Sequence, residues 1–247
     1  DYEYERAQAA LGVQLSRSFR LIGLGGRETD LLEGRNIGGL DSEFWEVGFR
    51  INAGSNSVVE FRTGERFFGD SYFGNIEIEG RRVEFTASYT ENPTTSAEGM
   101  LGGLVIPFNP NPASAEDQGQ TPIDEIIIAP IRAEVYVSKM WRSRFTVNSA
   151  RGEIYVTYFE EDRDFVEDPI IVGVSQDGQS SLAIGFVREL GPRTSLEIVG
   201  RLFEYEYTDD DDVTQVTSVE LGVSREIGRE VELGLRLRHA EQDTDSI

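Results

Sequence analysis

The stretch Val231-Glu232-Leu233-Gly234-Leu235-Arg236-Leu237-Arg238 decides the fold. Side chains alternate across a strand. Val231, Leu233, Leu235 and Leu237 therefore form one oily face, and Glu232, Gly234, Arg236 and Arg238 a polar one. A soluble sandwich buries such an oily face against a second sheet. A membrane barrel turns it to lipid.

The same alternation spreads back along the chain. Val219, Leu221 and Val223 oppose Ser218, Glu220, Gly222 and Ser224. Leu182, Ile184 and Phe186 oppose Ser181, Ala183 and Gly185. Leu196 and Ile198 oppose Glu197, and Arg201 continues that inner row. Val135, Val137, Trp141, Phe145 and Val147 oppose Glu134, Ser138, Arg142, Arg144 and Thr146. Val83, Phe85, Ala87 and Tyr89 oppose Arg82, Glu84, Thr86 and Ser88. Val59 and Phe61 oppose Glu60 and Arg62, and Trp45, Val47, Phe49 and Ile51 oppose Glu46, Gly48, Arg50 and Asn52. Residues 19–26 read in either phase.

Connections between these runs alternate in length. Short turns fall at 16–18, 53–56, 80–81, 149–152, 191–192 and 228–229. Longer polar stretches fall at 29–41, 91–132, 165–178 and 208–212, with a short exception at 69–71. Tight turns on one rim and long loops on the other predict an all-β, antiparallel up-and-down transmembrane β-barrel. About 12 strands are expected in this chain, and 14 or more in the intact protein. Residues 1–247 read as one barrel domain, incomplete at both ends, with a long extracellular loop at 91–132. Asp1 and Ile247 are expected on the rim of that loop. The sheet should be open between its first and last strands unless other strands close it.

Composition agrees with that class. Among 247 residues, Phe, Tyr and Trp cluster near strand ends, as in Tyr158-Phe159 and Phe67-Phe68. Such clusters read as interfacial girdles or as ordinary β-propensity. No Cys is present, which excludes disulfides, thiolate metal sites and Cys catalysis. No signal peptide is visible, so the chain reads as mature or partial. The formal charge of -22 argues against nucleic acid as a partner. Acids concentrate at Asp209 to Asp212 and around Glu160, Glu161, Asp162, Asp164, Glu167 and Asp168. They read as a solvated rim or as loop carboxylates bridged by divalent cations to lipopolysaccharide. No other cofactor is expected.

Several segments carry a resemblance. They are Gly80-Arg81-Arg82-Val83-Glu84-Phe85-Thr86-Ala87-Ser88-Tyr89-Thr90-Glu91, Val137-Ser138-Lys139, Ala150-Arg151 and Phe159-Glu160-Glu161-Asp162-Arg163. With Leu221-Gly222-Val223-Ser224-Arg225 and Leu235-Arg236-Leu237-Arg238-His239, they span roughly 42–246. Together they resemble the EpsL-like outer-membrane β-barrels associated with PEP-CTERM (exosortase) and exopolysaccharide systems. The resemblance implies a bacterial outer-membrane location and a part in polysaccharide export or surface assembly. It implies no catalytic signature. In that group a further strand follows the equivalent of Asp245-Ser246.

The inner rows are the candidate functional surface: Glu46, Arg50, Glu60, Arg62, Arg82, Glu84, Glu134, Arg142, Arg144, Glu197, Arg201, Glu220, Arg236 and Arg238. Balanced charges there read as a cross-strand ladder or as the wall of a polar channel. Within the long loop, Met100, Leu101, Leu104, Val105, Ile106 and Phe108 form an apolar run. It reads as a lumen constriction, a contact for a partner or second protomer, or a disordered tip. His239, the lone His, continues the outward row, which gives Ser–His or Asp–His catalysis poor support. Expected partners are outer-membrane lipid, lipopolysaccharide, and polysaccharide or envelope-complex subunits. The leading function is a conduit or anchor; its rival is a plugged structural scaffold.

Overall fold

A computed structural model describes residues 5–29, 42–54, 56–95, 135–165, 176–207, 213–227 and 231–245. They form one 12-stranded antiparallel sheet in strict sequence order. Its strands are β1 (Arg6–Gln14), β2 (Phe19–Glu28), β3 (Ser42–Asn52), β4 (Ser57–Arg66), β5 (Gly69–Glu79) and β6 (Val83–Thr95). They continue as β7 (Val135–Ser149), β8 (Gly152–Phe165), β9 (Gln176–Gly191), β10 (Thr194–Tyr207), β11 (Val213–Ile227) and β12 (Val231–Asp245). Every strand pairs with its sequence neighbours, and β1 is not paired with β12. The described sheet therefore has two free edges.

Several connection boundaries differ from the sequence reading; the stretch 165–178, for one, overlaps strand at Phe165 and from Gln176. The stretch 91–132 does not begin as a loop: Glu91 pairs with Lys139 and Pro93 with Val137, inside the β6–β7 ladder. The turn expected at 69–71 instead centres on Phe67-Phe68, whose rings meet edge to face at 5.2 Å. Gly69 follows with φ 110°, a conformation that a side chain disfavours.

Exposure is inverted relative to a soluble protein. Leu233, Leu235 and Leu237 are 63%, 64% and 59% exposed, while Glu46 and Glu220 are buried. The apolar row continues outward across the sheet through Val219, Ile184, Ile154, Phe145, Phe61, Val47 and Leu11, all exposed. No second layer covers either face among the described residues. The difference in burial then reports curvature: side chains crowd on the concave polar face and splay on the convex apolar one. At Gly48 and Gly64, both on the polar face, a Cβ would run into the backbone of the neighbouring strand. Glycine at these positions lets the strands bend closely together.

Candidate functional site

Register places Glu46, Arg50, Glu60, Arg62, Glu84, Arg142, Arg144, Glu197, Arg201, Glu220, Arg236 and Arg238 on one face. The pairings Arg50↔Glu60, Thr86↔Arg144, Ser88↔Arg142 and Glu220↔Arg238 step that face from strand to strand. Arg82 is the exception. It lies in the β5–β6 connection and is exposed, because β6 begins only at Val83 and the alternation has no strand to ride on at Arg82. Glu134, Met100, Leu101, Leu104, Val105, Ile106 and Phe108 lie outside the described residues.

The polar face is wired as ion pairs. On β1, β3 and β4, Glu46 sits between Arg6 at 3.1 Å and Arg62 at 3.4 Å. Glu60 joins the same chain, 3.3 Å from Arg62 and 3.6 Å from Arg50. Arg6 lies over the Phe44 ring at 4.1 Å, and Arg62 over Phe73 at 3.9 Å. Flat guanidiniums suit both contacts, which explains Arg rather than Lys here.

The most buried pair was not singled out in the sequence. Arg66 grips Glu28 through Nε and Nη2, with Nη2 at 2.8 Å, and its Nη1 donates to the Glu91 carbonyl at 3.1 Å. Side-chain exposure is 2% for Arg66 and 0% for Glu28. Glu28 ends β2 beside the long connection to β3, where alternation fades and offers no signal, whereas Arg66 ends β4 before the two-residue turn and continues the polar row of Glu60 and Arg62.

A second hub crosses β7, β8 and β9. The Ser138 hydroxyl and the Gln179 amide each donate to Glu161 at 2.6 Å, and Arg163 pairs with it at 2.9 Å. Glu160, Glu161, Asp162 and Asp164 were expected in a loop. They belong to β8 and alternate, with Glu161 on the polar face and Glu160 and Asp162 on the other. Towards the opposite edge, Glu220 lies between Arg236 at 2.9 Å and Arg201 at 3.4 Å. Between these hubs Tyr155 fills the space over Gly185, where a methyl group would overlap its ring.

A cleft of about 230 Å³ opens on the polar face near the long-connection end, lined by Arg6, Gln8, Glu46, Arg62, Ser71 and Asn92 among others. Its lining is a donor-rich wall that can exchange hydrogen bonds with water or a polar solute. Among the described residues, no three carboxylate or His groups stand together as a metal site. His239 is exposed on the apolar side, paired with Val219. The geometry defines a curved antiparallel wall with an ion-paired inner face. No protein-family model, curated protein or solved structure matches this chain.

Proposed function

We propose that the chain is part of the wall of a transmembrane β-barrel in a bacterial outer membrane, and that it serves as a conduit or anchor. One observation carries this reading: a broad apolar face is exposed from β1 to β12 while carboxylates and guanidiniums crowd the other. Water penalises that exposed area at roughly 25 cal/mol per Å², whereas hydrocarbon does not. Strands of 9 to 16 residues reach or exceed the 9–11 that a tilted strand needs to cross the bilayer. No helix of the described residues is long and apolar enough to cross a membrane, which does not bear on crossing by strands. The solute proposed is polar or anionic. Its assignment to exopolysaccharide export rests on the resemblance of the segments quoted above.

A scaffold without transport is the second reading, and the ion-pair ladder supports it. A wall whose charges satisfy each other can close without a solute. Conductance separates the two. The chain is refolded into phosphatidylcholine vesicles, insertion is read by protease protection, and single-channel currents are recorded. Currents that grow on deleting residues 101–111 support a gated conduit. No current in either form supports the scaffold, and failure to insert overturns both.

A further inference from the structure

The two ends of the apolar face carry opposite charge, while on the polar face Glu79, Glu189 and Glu226 stand exposed beside the short connections. At the short-connection end, Arg188 on β9 stands opposite Leu196, and Arg225 on β11 opposite Leu233. Both guanidiniums therefore share the face of the exposed leucines, at its margin. Around them, Arg17, Arg81, Arg151 and Arg193 project from the short connections and are exposed. None of these six side chains has a hydrogen-bond or ion-pair partner among the described residues. That contrasts with Arg6, Arg62 and Arg201 on the polar face, which are paired. At the other end, the same apolar face finishes mainly in acids, Glu43, Glu65, Asp162, Glu206, Glu241 and Asp243, all exposed, with Arg27 paired to Glu43 and Lys139 to Asp164.

We infer that the short-connection rim is a collar that binds the headgroups of anionic phospholipids. This rests on the membrane reading above and goes beyond it, because it states which leaflet chemistry each end meets. An arginine at the edge of a lipid-facing row keeps its stem along the hydrocarbon and sends its guanidinium to the headgroup level. There it meets phosphate, which the guanidinium fork binds through two parallel N–H donors. A zwitterionic headgroup carries its own ammonium and leaves the arginine charge uncompensated across the collar. An anionic headgroup supplies the missing negative charge. The acidic end repels the same lipid. The charge pattern thus orients the wall, with short turns at the phospholipid leaflet.

The test uses the full chain refolded into vesicles of equal parts phosphatidylcholine and phosphatidylglycerol. Protein is extracted in mild detergent, and the lipids it retains are counted by native mass spectrometry. Each basic residue near such a surface favours the anionic lipid about fivefold, so phosphatidylglycerol should be retained over phosphatidylcholine by at least that factor. The variant R17Q/R81Q/R151Q/R188Q/R193Q/R225Q, which neutralises the whole collar, should retain the two lipids in the input ratio. Lysine at the same positions should restore the preference, and E241Q/D243N should leave it unchanged. If the glutamine variant does not insert, salt provides the same test on the unaltered chain, since added salt screens exposed charge. A preference that ignores salt, its absence in the unaltered chain, or its survival in the glutamine variant would overturn the collar. Insertion without preference sinks the collar alone, whereas failure to insert into pure phosphatidylcholine sinks the barrel reading and the collar with it.

Discussion

Glu46 on β3 and Glu220 on β11 are each held between two guanidiniums, and their own side chains are almost equally shielded, at 8% and 11% exposure. Their partners differ. Arg6 and Arg62 are 24% and 19% exposed, but Arg201 and Arg236 are 45% and 61% exposed. Edge position does not explain this, because Arg6 itself lies on the edge strand β1. Aromatic rings do. Phe44 and Phe73 stack on Arg6 and Arg62, whereas among the described residues no guanidinium–ring stacking is found at Arg201 or Arg236. The same acid-between-two-bases arrangement is thus dry in one place and wet in the other. Only the dry one should matter strongly for stability.

The largest effect is expected where shielding is most complete. Glu28→Gln takes the carboxylate charge from the Arg66 guanidinium, which is 2% exposed and keeps its bond to the Glu91 carbonyl. Removing one partner of a buried pair costs about 3–5 kcal/mol, read as a shifted urea midpoint for protein folded in vesicles. A loss below about 1 kcal/mol would mean that solvent reaches this corner.

Glu46→Gln should cost about 2–3 kcal/mol, since two partly buried guanidiniums lose one shared carboxylate. Equal losses from Glu46→Gln and Glu220→Gln would break the comparison outright. Phe73→Leu sharpens it. Removing the ring over Arg62 should cost roughly 0.5–2 kcal/mol. It should also make the Glu46–Arg62 coupling fall more steeply with added salt than in the parent. A double-mutant cycle at low and high salt checks this.

Glu220→Gln is the smallest effect, about 0–1 kcal/mol and shrinking with salt. If a further strand covers β12 in the membrane, that cost rises towards the value for Glu46. The same measurement then reports what lies beyond the edge.

Most of the architecture was legible because one rule, alternation, holds wherever one face is oily. Leu233, Leu235 and Leu237 are exposed and Glu220 is buried, as the rows predicted. The rule fails where a strand leaves the apolar zone. Residues 91–95 and 160–165 are strand, yet both faces there are polar, so no period remains to detect. It fails in β2 for the opposite reason. Ile22 and Leu24 share the polar face with Arg20, while Gly23 and Gly25 interrupt the oily one. The ion-pair partners were less legible than the rows. Arg6–Glu46 and Arg66–Glu28 each reach across an intervening strand, and alternation within a strand says nothing of such reach. Tyr155, Val199 and Tyr205 are buried on the polar face, so its lining is more mixed than a charge pattern suggests.

Strict neighbour pairing has a consequence for how the sheet assembles. Each ladder needs only the next hairpin, so long-range searches are few and formation can proceed turn by turn. One step is different. β6 and β7 are joined by residues 96–134, and closing that span costs roughly 2 kcal/mol more entropy than closing a short turn. The chain therefore divides kinetically into two six-stranded halves, β1–β6 and β7–β12. Each can zip from its own tight turns, and docking at the β6–β7 seam is expected to be the slow event, a point that refolding kinetics of the nicked and intact chains would check. A nick within the connection would leave each half with its own hairpins and cut the covalent link between them.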